Sequence, residues 1–173
     1  MKKQINSGLF LSVVEANKGI LYKVAKAYCH NPLDRQDLVQ EIIVQLWKSF
    51  DSYNEQYKHT TWIYRIALNV AISFYRKENR RKEIANPLPE NLLLFTDNSG
   101  QDLEESTGVL QRFIAELKEL DKALILLYLE ERPQKEIAQI MGISESNVAT
   151  RVGRIKQVLK QKFEALTISN YGR

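Results

Sequence analysis

The chain has 173 residues, with 25 Lys and Arg against 21 Asp and Glu for a net charge of +4. That length allows one ordinary domain or two small ones. One cysteine, Cys29, excludes an intrachain disulfide, and two scattered histidines, His30 and His59, lack the spacing of a zinc site. The longest apolar run, from Ala123 to Leu129, is far shorter than the roughly 18 residues of a membrane span. Residues 1–14 lack the apolar core and cleavage site of a secretion signal. A mature cytoplasmic protein is expected.

Apolar residues first recur at helical spacing over 7–28, with Leu9, Phe10, Val13 and Val14 followed by Ile20, Leu21, Val24, Ala25 and Tyr28. Asn31-Pro32-Leu33-Asp34 stops that helix and restarts the next, and Asp34 is the expected cap. The second helix is predicted over about 35–50. Leu38, Ile42 and Leu46 form one apolar row, and Val39, Ile43 and Trp47 form the next. Asp37, Gln40, Glu41 and Lys48 face elsewhere, with Asp37 and Glu41 one turn apart. A polar loop over 51–61 carries Tyr53, Tyr57 and His59. A long helix then runs over about 62–82, capped by Thr60 or Thr61. Ile63, Ile66, Ala67, Val70 and Phe74 mark its core face. Trp62, Arg65, Asn69, Ser73, Arg76, Lys77 and Arg80 recur every three or four residues on the other.

From Asn86 to about Thr107 the periodicity dissolves around Pro87, Pro89 and Gly100, with Leu92 to Phe95 as an apolar island. This stretch holds no Lys or Arg but has Glu90, Asp97, Asp102, Glu104 and Glu105. It reads as a flexible acidic linker between two basic blocks, and about twenty residues is long for a loop inside a compact domain. Helical spacing returns with Val109, Leu110, Phe113, Ile114 and Leu117. Asp121 is the expected cap of a helix over 122–131. Ile137, Ala138 and Met141 form the stripe of a short helix. Gly142-Ile143-Ser144 is a turn with a left-handed glycine and an N-cap serine. Val148, Val152, Ile155 and Leu159 then give the last helix its buried row. No useful strand alternation occurs. The expected fold is all-α, with two small helical domains, the C-terminal one a helix-turn-helix.

A helix-turn-helix can lay its second helix in the major groove of DNA. Glu145, Ser146, Asn147, Ala149, Thr150, Arg151 and Arg154 are then free of the core and suited to bases or phosphates. An ordinary helical hairpin is the bland alternative. The helix over 62–82 offers cations for phosphates, and its aromatic-bearing loop suits unpaired bases, since a duplex hides their faces. A solvated helix face with Trp62 and Tyr64 in the core explains the same pattern, and is the better reading of this helix taken without the second module. Asp37 and Glu41 have neither a catalytic partner nor the Glu-x-x-His companion of a di-iron site. They suit a protein-docking face or plain solvation. With no nucleophile–base or ligand set, neither catalytic residues nor a metal or cofactor are expected. A stand-alone helix-turn-helix regulator remains an alternative, and a hydrolase or metal enzyme on a helical bundle does not fit.

Four segments together resemble the extracytoplasmic-function (ECF) sigma factors of bacterial RNA polymerase. They are Asp37-Leu-Val-Gln-Glu41, Thr61-Trp-Ile-Tyr-Arg-Ile-Ala-Leu-Asn69, the basic run ending at Lys82, and Lys135-Glu-Ile-Ala-Gln-Ile-Met-Gly-Ile-Ser144 with the helix after it. The resemblance covers nearly the whole chain. It implies a region-two domain over 1–85, a linker over 86–107 and a region-four domain over 108–173. Asp37, Gln40 and Glu41 would dock on the clamp coiled coil of core RNA polymerase. Tyr53, Trp62, Arg65, Asn69, Arg76, Lys77 and Arg80 would recognise and melt the minus-ten promoter element. The linker would thread toward the active cleft. Glu145, Ser146, Asn147, Thr150, Arg151 and Arg154 would read the minus-thirty-five element. The resemblance adds an anti-sigma factor as a candidate partner. His59, Ser73, Glu145 and Gly153 depart from the commonest family choices, which bears on the promoter read and not on the class.

Overall fold

A computed structural model describes residues 7–53, 55–85 and 103–171; the linker features expected between Asn86 and Asp102 lie outside them. Among the described residues all regular structure is helical. Helix α1 covers Ser7–Tyr28, α2 Pro32–Ser49 and α3 His59–Ala85, with a single 3-10 turn at Phe50–Ser52. The C-terminal half contains α4 at Leu103–Ala115, α5 at Glu119–Leu129, α6 at Gln134–Met141 and α7 at Glu145–Tyr171. Helix α4 therefore begins inside the stretch read as linker.

Helices α1 to α3 form a bundle around the predicted α2 row. Leu38, Ile42 and Leu46 are each 0% exposed. Trp47, expected in the adjacent row, stays at the rim with its ring edge-on to Phe10, centroids 4.9 Å apart. Helix α2 starts three residues before the predicted position because Asn31, not Asp34, caps it. Asn31 Oδ1 accepts from the Leu33 amide at 2.8 Å, and Pro32 takes the first position, where a missing N–H costs nothing. Thr60 and Thr61 do not start α3. They lie inside its first turn, where the Trp62 amide already donates to the Lys58 carbonyl at 3.2 Å.

The C-terminal bundle buries Ala123, Leu124, Ile125, Leu127, Ile137, Ala138, Ile140, Val148, Val152, Ile155 and Leu159. The turn between α6 and α7 is built as its residues dictate. Gly142 has φ +67°, and the Ile143 amide donates back to the Ala138 carbonyl at 3.1 Å. Ser144 Oγ accepts from the Asn147 amide at 3.2 Å. Asp121 is not the α5 cap. The helix begins at Glu119, and the Asp121 carboxylate instead accepts from Arg151 Nη2 on α7 at 2.7 Å. Just past α5, beyond its cap Glu130, Glu131 has φ 54°, a non-glycine in the left-handed region.

The two bundles pack against each other through α3. Its apolar face is broader than predicted: Tyr64, Leu68, Ala71 and Ile72 are buried beside Ile63 and Ala67, while Ile66, Val70 and Phe74 are half-buried. Tyr64 is covered from the C-terminal side, with the Arg132 guanidinium 5.0 Å from its ring centroid. Polar contacts cross the same boundary. Tyr28 Oη donates to the Glu119 carbonyl at 2.6 Å, Arg76 Nε to the Glu119 carboxylate at 2.7 Å, Lys23 Nζ to Glu130 at 2.7 Å and Thr61 Oγ1 to Glu136 at 3.1 Å.

Two substitutions test this construction. Ile42→Ala removes a fully buried side chain at the bundle centre and should cost about 2–5 kcal/mol in a urea titration. Gly142→Ala meets no atom within 4 Å, so its cost is only the left-handed backbone, about 1–2 kcal/mol. A Gly142→Ala penalty well above that range would mean that the turn is closed by packing and not by conformation.

Candidate nucleic-acid interface

The N-terminal candidate residues lie along α2, α3 and the loop between them. Aromatic rings step outward from the core: Phe10 meets Phe50 at 5.3 Å, Phe50 meets Trp62 at 6.0 Å, and Trp62 meets Tyr53 at 5.1 Å between centroids. Trp62, expected on the polar stripe, is thus half-buried and anchors the loop. Tyr53 stacks on His59 with centroids 4.8 Å apart and planes 21° off parallel, and its hydroxyl donates to the Tyr57 carbonyl. Burial, then the nearby Glu55 carboxylate, push the Tyr53 phenol up, so it stays a neutral hydroxyl. The ring is therefore an uncharged stacking platform at the surface.

Below that platform Arg65, Asn69, Ser73, Lys77 and Arg80 follow the outward face of α3. Arg76 is engaged by Glu119, whose carboxyl is held below its usual range chiefly by the Arg76 hydrogen bond. The fold joins two sets that are distant in sequence. Asp37, Glu41, Gln45 and Ser49 of α2 face Asn69, Ser73 and Lys77 of α3 across a surface cleft of about 660 Å³ floored by Ile66, Val70 and Phe74. Gln45 Nε2 donates to Glu41 at 2.9 Å and fixes that carboxylate. Gln40 is not in this cleft. It lies on the neighbouring row of α2, one turn from the exposed Val44 and two turns from Trp47.

In the C-terminal module Glu145, Ser146, Asn147, Thr150 and Arg154 are exposed along α7, and Glu145 sits in its first turn, where a helix end favours negative charge. Thr150 Oγ1 is turned onto the Ser146 carbonyl at 2.9 Å. Arg151 is half-buried and committed to Asp121, so it braces α7 against α5. Lys135 and Gln139 of α6 were missed by pattern reading. They line a crevice of about 470 Å³ with Ser144, Glu145 and, from α3, Arg65. Their spacing of four, flanking the buried Ile137, Ala138 and Ile140, was the available signal.

Among the described residues no helix is long and apolar enough to cross a membrane, and no group of three or more His, Cys, Asp or Glu is gathered as a metal would need. Burial pushes the Cys29 thiol up to about 11, which leaves it an unreactive core residue.

Comparison with known proteins adds the family. Residues 13–81 match Sigma-70 region 2, and residues 107–159 match Sigma-70 region 4. The ECF RNA polymerase sigma factor SigM of Bacillus subtilis is 32% identical over 126 residues, 72% of this chain and 77% of its own. The chain belongs to the ECF sigma factors. SigW of the same organism is 25% identical over 180 aligned residues, 95% of each chain. The sigma factor RpoE from Bartonella quintana, solved in complex with the anti-sigma factor NepR, shares the fold with a TM-score of 0.65 at 19% identity, over 91% of this chain and 95% of that one. A stand-alone helix-turn-helix regulator is thereby excluded, because it leaves the whole region 2 match without a role. Sigma factors act as initiation factors and not as enzymes.

The Arg151–Asp121 pair separates bracing from reading. Arg151→Ala and Asp121→Ala should each destabilise the fold, with a coupling of about 0.2–1 kcal/mol in a double-mutant cycle for a pair this exposed. Arg154→Ala should leave thermal stability unchanged and weaken DNA binding alone. Strict additivity of the Arg151 and Asp121 changes would remove the brace.

Proposed function

We propose that the protein brings core RNA polymerase to its promoters by dividing the work between its two modules. Residues 1–85 dock on the polymerase and open the minus-ten element, 108–173 hold the minus-thirty-five element, and 86–107 join them. The observation that carries this reading is the α2–α3 cleft, where the Asp37 and Glu41 carboxylates lie across from Asn69 and Lys77. Polymerase on the α2 side of that cleft therefore leaves the α3 stripe beside the DNA.

Asp37 and Glu41 meet a basic polymerase surface, and Gln40 contacts it from the adjoining row. Tyr53 stacks on a base freed from the duplex, Trp62 holds the loop in position, and Arg65, Asn69, Lys77 and Arg80 bind phosphates and base edges. Arg76 joins them once released from Glu119. On α7, Asn147 and Arg154 reach base edges, while Glu145, Ser146 and Thr150 line the approach. Arg151 acts at one remove, by fixing the angle of α7. The protein has no chemistry of its own. Binding energy alone positions the enzyme and opens the strands. It works in the cytoplasm, where its polymerase is, and the solved relative bound to an anti-sigma factor supports control by an inhibitor of that kind.

Transcription from a promoter library by purified core polymerase, with and without the protein, tests the whole reading. Specific initiation should require it. Asp37→Ala with Glu41→Ala should weaken the complex with core polymerase at least about tenfold, equivalent to about 1.4 kcal/mol, while the thermal melt stays unchanged. Wild-type affinity for core in that double variant would move the docking face elsewhere.

A further inference from the structure

Gly153 lies in the interior of α7, exposed and without the positive φ that marks Gly142. A Cβ built on it would meet no atom within 4 Å. Neither a turn nor a close helix crossing asks for glycine there, and a glycine inside a helix is less favourable than an alanine. Gly19 of α1 is in the same situation, so the cost alone assigns nothing. Position on the molecule separates the two.

Val148, Val152, Ile155 and Leu159 are the buried row of α7. Ser146, Thr150, Gly153 and Gln157 repeat the same spacing two residues out of step, about 200° round the helix, and all four are exposed. They form the crest of α7, the line furthest from the module beneath it. The relief of that crest is low up to Gly153. Thr150 is folded back, its hydroxyl donating to the Ser146 carbonyl at 2.9 Å, and Ser146 Oγ lies 3.1 Å from Ser144 Oγ. At Gly153 the backbone itself is the surface, about 2.3 Å from the helix axis.

A recognition helix enters the major groove crest first. A helix with its side chains is about 10–12 Å across and the groove about 12 Å wide, so there is almost no slack. Asn147 and Arg154, two turns apart, rise along one flank of the crest, both exposed. Arginine is long and reaches a base edge from a distance. Asparagine is short, so Asn147 reaches one only when the crest lies deep. A side chain at 153 would stand between the helix and the groove floor and hold Asn147 away.

We propose that Gly153 is a positioning residue for promoter reading: its missing side chain lets the backbone of α7 lie against the floor of the major groove, at the depth where Asn147 meets a base edge. This rests on the reading above, in which α7 holds the minus-thirty-five element.

Gly153→Ala and Gly153→Leu in the full chain, assembled with core polymerase on a promoter that the wild type selects from the library, test it. Both replacements favour helix, so neither should lower the thermal melt of the free protein, and Gly153→Ala should raise it by about 2–4 °C. Promoter binding should nevertheless fall with side-chain size, at least about tenfold for Gly153→Leu, the scale of one lost base contact. A template with a pre-opened minus-ten element and no duplex upstream should be used equally by all three proteins. Asn147→Ala should weaken promoter binding in the wild-type background and do nothing further in Gly153→Leu. Gly19→Ala should raise the melt as Gly153→Ala does and leave promoter binding alone. Wild-type promoter binding by Gly153→Leu, or an equal loss on the upstream-less template, would overturn the role of Gly153. The same Asn147→Ala effect in both backgrounds would overturn the link to Asn147. A wild-type protein that selects no promoter would overturn the promoter reading itself, and this inference with it.

Discussion

Helix α3 is the wall that both halves of this protein share, and its burial on two sides is the constraint on which the remaining structure depends. One side completes the bundle with α1 and α2 through Ile63 and Ala67. Another meets the C-terminal module, where Tyr64 lies under Arg132 and Tyr75 under Lys122. Only a third strip, with Arg65, Asn69, Ser73 and Arg80, is left for solvent. A helix with three assigned faces has little freedom to rotate. The position of Lys77 opposite Asp37 and Glu41 therefore follows from how the hydrophobic sides are satisfied.

The two kinds of contact on α3 differ in physical character. Within each bundle the contacts are apolar and tightly packed, which makes each a cooperative unit. Between bundles the apolar cluster continues, and ion pairs, hydrogen bonds and cations over aromatic rings are added to it, several of them half exposed. Exposed pairs of this sort contribute little each. They add up to orientation more than to stability.

Many local features were legible in the residue pattern. The α2 row of Leu38, Ile42 and Leu46, the Gly142 turn, the Ser144 cap and the inward Val148, Val152, Ile155 and Leu159 are all local, set by helical periodicity and by backbone conformation that few residues accept. Capping was harder to read. Asn31, Thr61 and Asp121 are all capable caps by residue type, but whether a polar side chain caps its own helix depends on what else comes within reach. Asn31 found the Leu33 amide, Thr61 found Glu136 and Asp121 found Arg151.

The same distinction divides the candidate site. Residue order alone determined the class of the protein: two helical modules, the Asp37-Leu-Val-Gln-Glu41 motif, a basic aromatic-fed helix and a helix-turn-helix, each carried by spacing along a single segment. Tertiary structure decided which polar residues are free to act. Arg151 and Arg76 look like Arg154 and Arg80 in sequence, yet the first two are spent on carboxylates from other helices. Lys122 looks like a surface lysine and is buried because Tyr28 of α1 and Tyr75 of α3 arrive from about a hundred and about fifty residues away to cover it. Periodicity describes a helix by itself; what a charge does depends on which neighbour displaces its water, and that neighbour is chosen only when the chain folds.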